Sequence, residues 1–361
     1  SLGQFAATAA APIILNICLI TALLFAANLM ATPAHTLAIA VSIAGVVQLI
    51  FLYRACYKAG YRVHIKMPRL TPKVKKLLLV MGPAALGAGV IQLNLLLDMI
   101  IASYLPDASM SYLYYADRLN QLPVGVIGVA LGTVLLPFLS RSIASGDEAL
   151  VVKSQNQAIE MGLFFTIPAA VAFIIVPNDL IHVLLERSNF SSEATLQTSL
   201  TLAAYAAGLP AYVLAKVFVP GYFARGDTKT PLKFAVVALI INVSLNLILM
   251  QYFAHVGLAI ATAISAWINV LMLGGGLIKK GHYQVKMALI IRLLKYILCS
   301  IIMGLVIWQI RILVAPMIGG GALSQIAGLL ILVIGGIGSY LAAIFISKTV
   351  KKEELRALFS K

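Results

Sequence analysis

Along this chain polar positions are the exception. Apolar runs follow one another from about residue 10 to residue 347, broken only by short polar turns. A bilayer core about 30 Å thick takes roughly 20 apolar residues of helix to cross. Ten stretches reach that length: 10–31, 33–57, 77–104, 110–140, 157–176, 195–224, 232–253, 256–278, 287–310 and 322–347. Turns as short as ATPAH (31–35) and FAHVG (253–257) join neighbouring stretches. The pattern predicts an all-α integral membrane fold of about ten transmembrane helices. No segment is left for a soluble domain.

Composition agrees. Of the 361 residues, 61% are hydrophobic and 11% charged, with a mean hydropathy of +0.99. Soluble domains are nearer half apolar and a quarter charged. The formal charge of +15 raises nucleic acid as a partner, but its distribution points to membrane topology instead. With a cytoplasmic N-terminus, the segments 53–76, 141–156, 225–233, 279–295 and 348–361 all face the cytoplasm. They hold 23 of the 27 Lys and Arg residues, and the opposite side holds only Arg187 and Arg311. That split obeys the positive-inside rule and supports the count of ten, since one missed span would scramble the alternation. It also makes both termini cytoplasmic and excludes nucleic acid. The opening SLGQFAATAA has no basic region of the kind that begins a secretory signal. Cys18, Cys56 and Cys299 are scattered and odd in number, which fits neither a disulfide framework nor a metal site.

The segment YKAGYRVHIKMPRLTPKVKK (57–76) is basic, lacks acids and carries interspersed apolar residues. It reads as an amphipathic linker lying against anionic membrane lipid at the cytoplasmic surface. Proline and glycine punctuate the spans at Gly82, Pro83, Gly87, Gly89, Pro123, Pro137, Pro168, Pro210 and Pro220. Such residues break or bend membrane helices where a neighbour or a cavity satisfies the freed carbonyls, a habit of carriers that rock between two states. The GPAALGAG cluster (82–89) is the strongest candidate for such a break. The GVIGVALG run (125–132) reads instead as small residues for close helix packing. A proline four or five residues before an arginine ends both LLPFLSRSIASGD and FVPGYFARGDTKTP, a weak internal echo.

Polar side chains inside the spans each need a reason, because a charge at mid-bilayer costs several kcal/mol. Arg118, in SYLYYADRLNQLP (111–123), lies about nine residues into the fourth stretch, roughly 13 Å deep at 1.5 Å per residue. Neighbours on a helix point about 100° apart, so Asp117 does not fully neutralise it. Arginine stays charged and presents two parallel donors, which suits a phosphate. Arg118 therefore reads as a cavity residue binding an anionic group, against the plainer reading of a structural ion pair with another helix. Asp117, Gln121 and Tyr114 extend the same polar patch, with Asn120 beside them. Lys216 lies about nine residues from the cytoplasmic end of its span and reads equally as a cavity charge or a snorkelling stem.

Asp98, Asn242, Asn246 and Thr262 offer a carboxylate, two carboxamides and a hydroxyl. With a free backbone carbonyl such as that of Leu258 they make a hard oxygen set for a small cation such as sodium. The competing reading makes Asn242 and Asn246, four residues apart, hydrogen-bond glue between helices. Enzyme chemistry finds no support: the five histidines fall in loops or at span ends, with no catalytic pair or nucleophile elbow. The acidic pairs Asp147–Glu148 and Glu353–Glu354 read as solvated charges.

The run SYLYYADRLNQLPVGVIGVALGTVLLPFLSRSIASGD (111–147) closely resembles the MurJ (MviN) lipid II flippases of bacteria. KVFVPGYFARGDTKTPLK (216–233) matches the same family, and FAATAAAPIILNICLI (5–20) is similar to the start of its fifth helix. The resemblance implies a fourteen-helix, two-lobe fold of the multidrug/oligosaccharidyl-lipid/polysaccharide exporter superfamily, with bent helices around a central cavity. This chain would hold helices five to fourteen and lack the first four. Residues 1–58 would be a remnant of the N-terminal lobe, 59–76 the linker, 77–280 the six-helix C-terminal lobe, and 281–361 two extra helices lining a lipid-tail groove plus a cytoplasmic tail.

The resemblance further implies flipping of an undecaprenyl-pyrophosphate-linked peptidoglycan precursor across the inner (cytoplasmic) membrane, with no enzymatic step. Arg118 would be a cavity residue needed for function, with Lys216 beside it on the pyrophosphate. Some members carry glutamate where this chain has Gln121. No cofactor is implied beyond a coupling sodium ion, whose site would fall on Asp98, Asn242, Asn246, Leu258 and Thr262. Partners would be lipid II, membrane lipids, the four preceding helices of the same protein and cell-wall synthesis proteins. The alternatives are an exporter of another polyprenyl-linked glycan or of a drug, a membrane-embedded glycosyl- or acyltransferase, and a scaffold. A cationic drug would call for an acidic cavity, and the transferase for His or Asp pairs at mid-membrane.

Overall fold

A computed structural model describes residues 5–26, 30, 32–58, 60 and 70–347. The linker core 61–69, expected to lie against lipid, and the tail with Glu353 and Glu354, expected to be solvated, lie outside these residues. The chain divides into two units, Ser1–Lys76 and Leu77–Lys361.

In the first unit α1 (Phe5–Ala26) and α2 (Pro33–Lys58) form a helical hairpin. Thr36, Ala40 and Ala44 repeat every fourth residue and are buried, so small side chains let the helices approach closely. Gln48 Nε2 donates to the Ala11 carbonyl at 2.8 Å and Thr36 Oγ1 to the Ala26 carbonyl at 3.2 Å.

The second unit carries α3 (Pro72–Ala102), α4 (Ser109–Pro123), a π-helical turn (Val124–Val129), α5 (Ala130–Ala144), α6 (Glu148–Ile175), α7 (Pro177–Leu185), α8 (Ser192–Ala206), α9 (Leu209–Phe223), α10 (Lys229–Lys279), α11 (Met287–Ile318) and α12 (Ala322–Ile346). Each of the ten expected stretches coincides, over its described residues, with one or more of these helices. Among the described residues six helices are long and apolar enough to cross a membrane, and α8 with α9, bent by 40°, makes a seventh.

Four details differ from the expected pattern. The short helix α7 was not foreseen. The fourth stretch is interrupted by the π turn directly after Pro123, which lacks the N–H for the regular ladder. The sixth stretch breaks around Gly208, before Pro210. α3 instead runs unbroken through the GPAALGAG cluster, so no break occurs there. The fifty-one residues of α10 are two limbs folded back at Ala254 (φ 47°), with Gly257 so close to the Leu249 carbonyl that a Cβ there would sit 2.4 Å from its oxygen.

Freed carbonyls find partners on neighbouring helices. Pro168 cannot donate to the Phe164 carbonyl, and the Tyr340 hydroxyl of α12 does so instead at 2.8 Å. At the α8–α9 break, Trp267 Nε1 donates to the Ala207 carbonyl at 2.9 Å. The core has two main parts. Leu135, Leu139, Ile159, Val217, Leu273 and Leu277 join α5, α6, α9 and α10. Phe164, Tyr296, Met303, Ile307, Leu332 and Tyr340 join α6 to α11 and α12.

Asp147 and Glu148 are exposed, as a solvated reading expects, and they are also paired. Asp147 caps α6 by accepting from Leu150 N at 2.9 Å, and Glu148 pairs with Arg225 at 2.5 Å. Asp227 accepts from Thr230 N, Thr230 Oγ1 and Lys280 Nζ at 3.0, 2.7 and 2.5 Å, which ties the start of α10 to its end.

Candidate functional site

The first set of candidate residues lies on α4. Ala116 and Asn120 are buried, with Ala116 packed among Ile181 and Leu202. That fixes the rotation of the helix and leaves Tyr114 and Arg118 exposed on another face. The two adjacent charges have separate surroundings. Asp117 is half-buried and accepts a hydrogen bond from Gln121 Nε2, one turn on. The Arg118 guanidinium lies over the Tyr114 ring, 4.9 Å from its centroid. Among the described residues no carboxylate lies within ion-pair distance of Arg118. Tyr114, Asp117, Arg118 and Gln121 therefore form one patch in which the guanidinium keeps its donors available.

Lys216, on α9, does not join that patch at close quarters. Its stem packs on the π turn: a Cβ on Gly128 would lie 2.7 Å from Lys216 Cδ. Gly128 is ten residues beyond Arg118, about 15 Å along a helix. The glycines of GVIGVALG thus serve packing at Gly128 and Gly132, as their spacing implied.

The second set does converge. Asp98 of α3, Asn242 and Asn246 of the first limb of α10, and Leu258 and Thr262 of the second form one hydrogen-bonded chain. Asn246 Nδ2 donates to Asp98 Oδ1 at 2.6 Å and to Asn242 Oδ1 at 3.1 Å. Asn242 Nδ2 donates to Thr262 Oγ1 at 3.3 Å, and that hydroxyl donates to the Leu258 carbonyl at 2.9 Å. Two members were missed: Asn94 Nδ2 donates to Asp98 Oδ2 at 3.0 Å, and Ser265 Oγ accepts from Asn242 at 3.4 Å. Asn94 was legible as the residue one turn before Asp98. Ser265 was not, because its role depends on the fold-back at Ala254. Asn242 and Asn246 are almost fully buried, yet Asn246 Oδ1 has no donor within the protein. A buried carbonyl oxygen without a donor, beside a carboxylate and a hydroxyl, fits the donor set of a small hard cation.

One further charged pair between helices escaped the sequence. Glu160 of α6 pairs with Arg292 of α11 and accepts from the Tyr296 hydroxyl at 3.0 Å.

Bent apolar helices, freed carbonyls closed by their neighbours and an available cation inside a span define a multi-span integral membrane protein. The sequence profile described as "Lipid II flippase MurJ" matches residues 1–328. The chain is 40% identical over 340 residues to a Rhizobium tropici protein described as a probable lipid II flippase MurJ, covering 92% of this chain and 64% of that one. It is 35% identical over 359 residues to a Vibrio cholerae protein of the same description, covering 99% of this chain and 68% of that one. Its fold is similar to a solved lipid II flippase MurJ in an inward closed conformation, with TM-score 0.75, 28% identity, and coverage of 94% of this chain and 68% of that one. The chain belongs to the lipid II flippase MurJ family.

Proposed function

We propose that this chain forms the larger part of a carrier that moves undecaprenyl-pyrophosphate-linked peptidoglycan precursor from the cytoplasmic to the outer leaflet of the bacterial inner membrane. The carrying observation is Arg118: a guanidinium inside a span, facing outward from the core of its unit and without a carboxylate partner, in a member of this family. In a low-dielectric setting a guanidinium holds a pyrophosphate through charge-assisted, paired hydrogen bonds. Asp117 accepts from Gln121 and forms no ion pair with Arg118, so it offsets that charge only in part. Tyr114 holds the guanidinium plane in place. Lys216 supplies a second positive charge further along the path. The charge distribution supports a cytoplasmic N-terminus for α1.

The test uses the full-length protein in cells depleted of their own flippase. Arg118→Ala, present in the membrane at wild-type level, is expected to leave the cells to lyse, and Arg118→Lys to restore growth in part. Normal growth of Arg118→Ala would make the charge structural and sink the proposal.

The Asp98–Asn242–Asn246–Leu258–Thr262 cluster is proposed as a sodium site. Sodium bound there would neutralise the buried carboxylate and bind α3 to both limbs of α10. The expected result is a Tm raised by sodium but not by the same concentration of potassium in the purified wild type, and not in Asp98→Asn. Equal Tm values in both salts would leave the cluster as hydrogen-bond glue.

A further inference from the structure

The break between α8 and α9 is packed against the helices that carry both candidate sites. On one side, Leu202 and Tyr205 of α8 join Ala116 and Leu119 of α4 in one apolar cluster. Ala116 and Leu119 flank Asp117 and Arg118 in the chain. On the other side, the break rests on the second limb of α10. A Cβ on Gly208 would lie 2.7 Å from the Tyr212 hydroxyl oxygen and 2.9 Å from Ala263 Cα. Ala263 directly follows Thr262 of the second set. One element, bent by 40°, thus packs beside both sites.

The Tyr212 hydroxyl oxygen is buried there and has no hydrogen-bond partner in the protein. An unsatisfied buried hydroxyl costs stability, so its retention needs a reason. Two partly buried carboxylates, Asp117 and Asp98, lie within its electrostatic reach. Tyr205 feels the same two. Asp98 is already engaged, since its oxygens accept from Asn246 and Asn94. Among the described residues, the side-chain donor to Asp117 is Gln121, on Oδ2. One donor is thus within the field of two acceptors and bonded to neither.

We propose that Tyr212 is a positioning residue that couples the two sites, its hydroxyl turning to Asp117 once a cation neutralises Asp98. A bound cation takes the first carboxylate out of the competition for the donor. Asp117, holding a second donor, then offsets Arg118 less, and an anion at Arg118 is held more firmly. Linkage makes the effect reciprocal, so the anion strengthens cation binding by the same factor. The α8–α9 break supplies the hinge through which the hydroxyl reaches its acceptor. The proposal rests on the anion reading of Arg118 and the sodium reading of the Asp98 cluster, and joins them through a residue that belongs to neither.

The test uses the purified full-length protein in detergent. Phenylglyoxal modification of Arg118, read by mass spectrometry of its peptide, is titrated with inorganic pyrophosphate in sodium and in potassium at equal ionic strength. In the wild type, sodium should lower the half-protecting pyrophosphate concentration at least about fivefold, the lower end of ordinary coupling between sites. Tyr212→Phe should keep the protection in potassium and the sodium-raised Tm, and lose most of the shift. Removing an unsatisfied hydroxyl should spare the fold. Should the variant fold poorly all the same, Asp117→Asn removes the acceptor instead and should lose the shift in the same way. A full shift in either variant would overturn the proposal, as would no shift in a wild type that shows both the protection and the sodium-raised Tm. Absence of protection in the wild type fails the anion reading, and equal Tm values in the two salts fail the sodium reading. Either result overturns the coupling too, and shows which site was misread.

Discussion

Asp117 and Arg118 are adjacent in sequence and separate in chemistry, because a helix turns about 100° per residue. Gln121 holds the carboxylate and Tyr114 the guanidinium. Gln121→Leu should leave a half-buried carboxylate without its donor. The expected loss is about 1–3 kcal/mol in unfolding in detergent, with Gln121→Glu at least as damaging through like-charge contact. At the membrane surface Asp227 gives a pH prediction. Partial burial alone would raise its pKa, but the bonds from Lys280 and Thr230 outweigh that and depress it to about 2 from an ordinary 3.8. A carboxylate depressed by folding stabilises fully above its unfolded value and loses that contribution as pH falls through the folded one. The tie between the ends of α10 should therefore hold at pH 5 and weaken between pH 4 and 2, read by hydrogen exchange at the start of α10, and Asp227→Asn should weaken it and remove that pH dependence. Residue types and i, i+4 spacing made both candidate sites legible in the sequence. Glu160 was missed for a physical reason: its partner Arg292 lies on a helix far along the chain, and only the packing of α11 on α6 brings the two together.

Elements were legible as lengths of apolar chain, less so as shapes. Proline marks where a ladder bond is lost, but not which neighbour repairs it. Pro168 and Tyr340 lie on helices far apart in sequence, and only packing brings the hydroxyl to the Phe164 carbonyl. Tyr340→Phe should cost about 0.6–2 kcal/mol, the range for hydrogen bonds between membrane helices, and Trp267→Phe a similar amount at the α8–α9 break. Thermal unfolding of each variant measures it, and a change near zero would mean that water or another donor replaces the lost group. The GPAALGAG cluster shows the converse error. Glycines within a membrane helix need not break it, and α3 passes through them intact.

Across the whole second unit, α6 is the common partner. α11 is fastened to it by the Glu160–Arg292 pair, by the Tyr296 hydroxyl, and by Gly304 lying against Val171 and Ile175. The loop before α11 is held too, since Asn156 donates to the Gln284 carbonyl at 3.2 Å and accepts from the Tyr283 hydroxyl at 3.1 Å. A double-mutant cycle on Glu160→Gln and Arg292→Gln should show a coupling well above the value for an exposed pair, at most about 1 kcal/mol. Additive losses would mean that the pair contributes only through its separate contacts.

The α12 repair of α6 also has a consequence in time. Tyr340 follows Phe164 by 176 residues. At about 5–20 residues per second, a ribosome takes roughly 10–35 s to cover that distance. Until Tyr340 is made, the Phe164 carbonyl lacks the donor that it has in the folded protein. A ribosome stalled before Tyr340 should hold a newborn chain whose α6 still exchanges between insertion and release, and whose survival depends on the machinery that shelters unfinished membrane proteins.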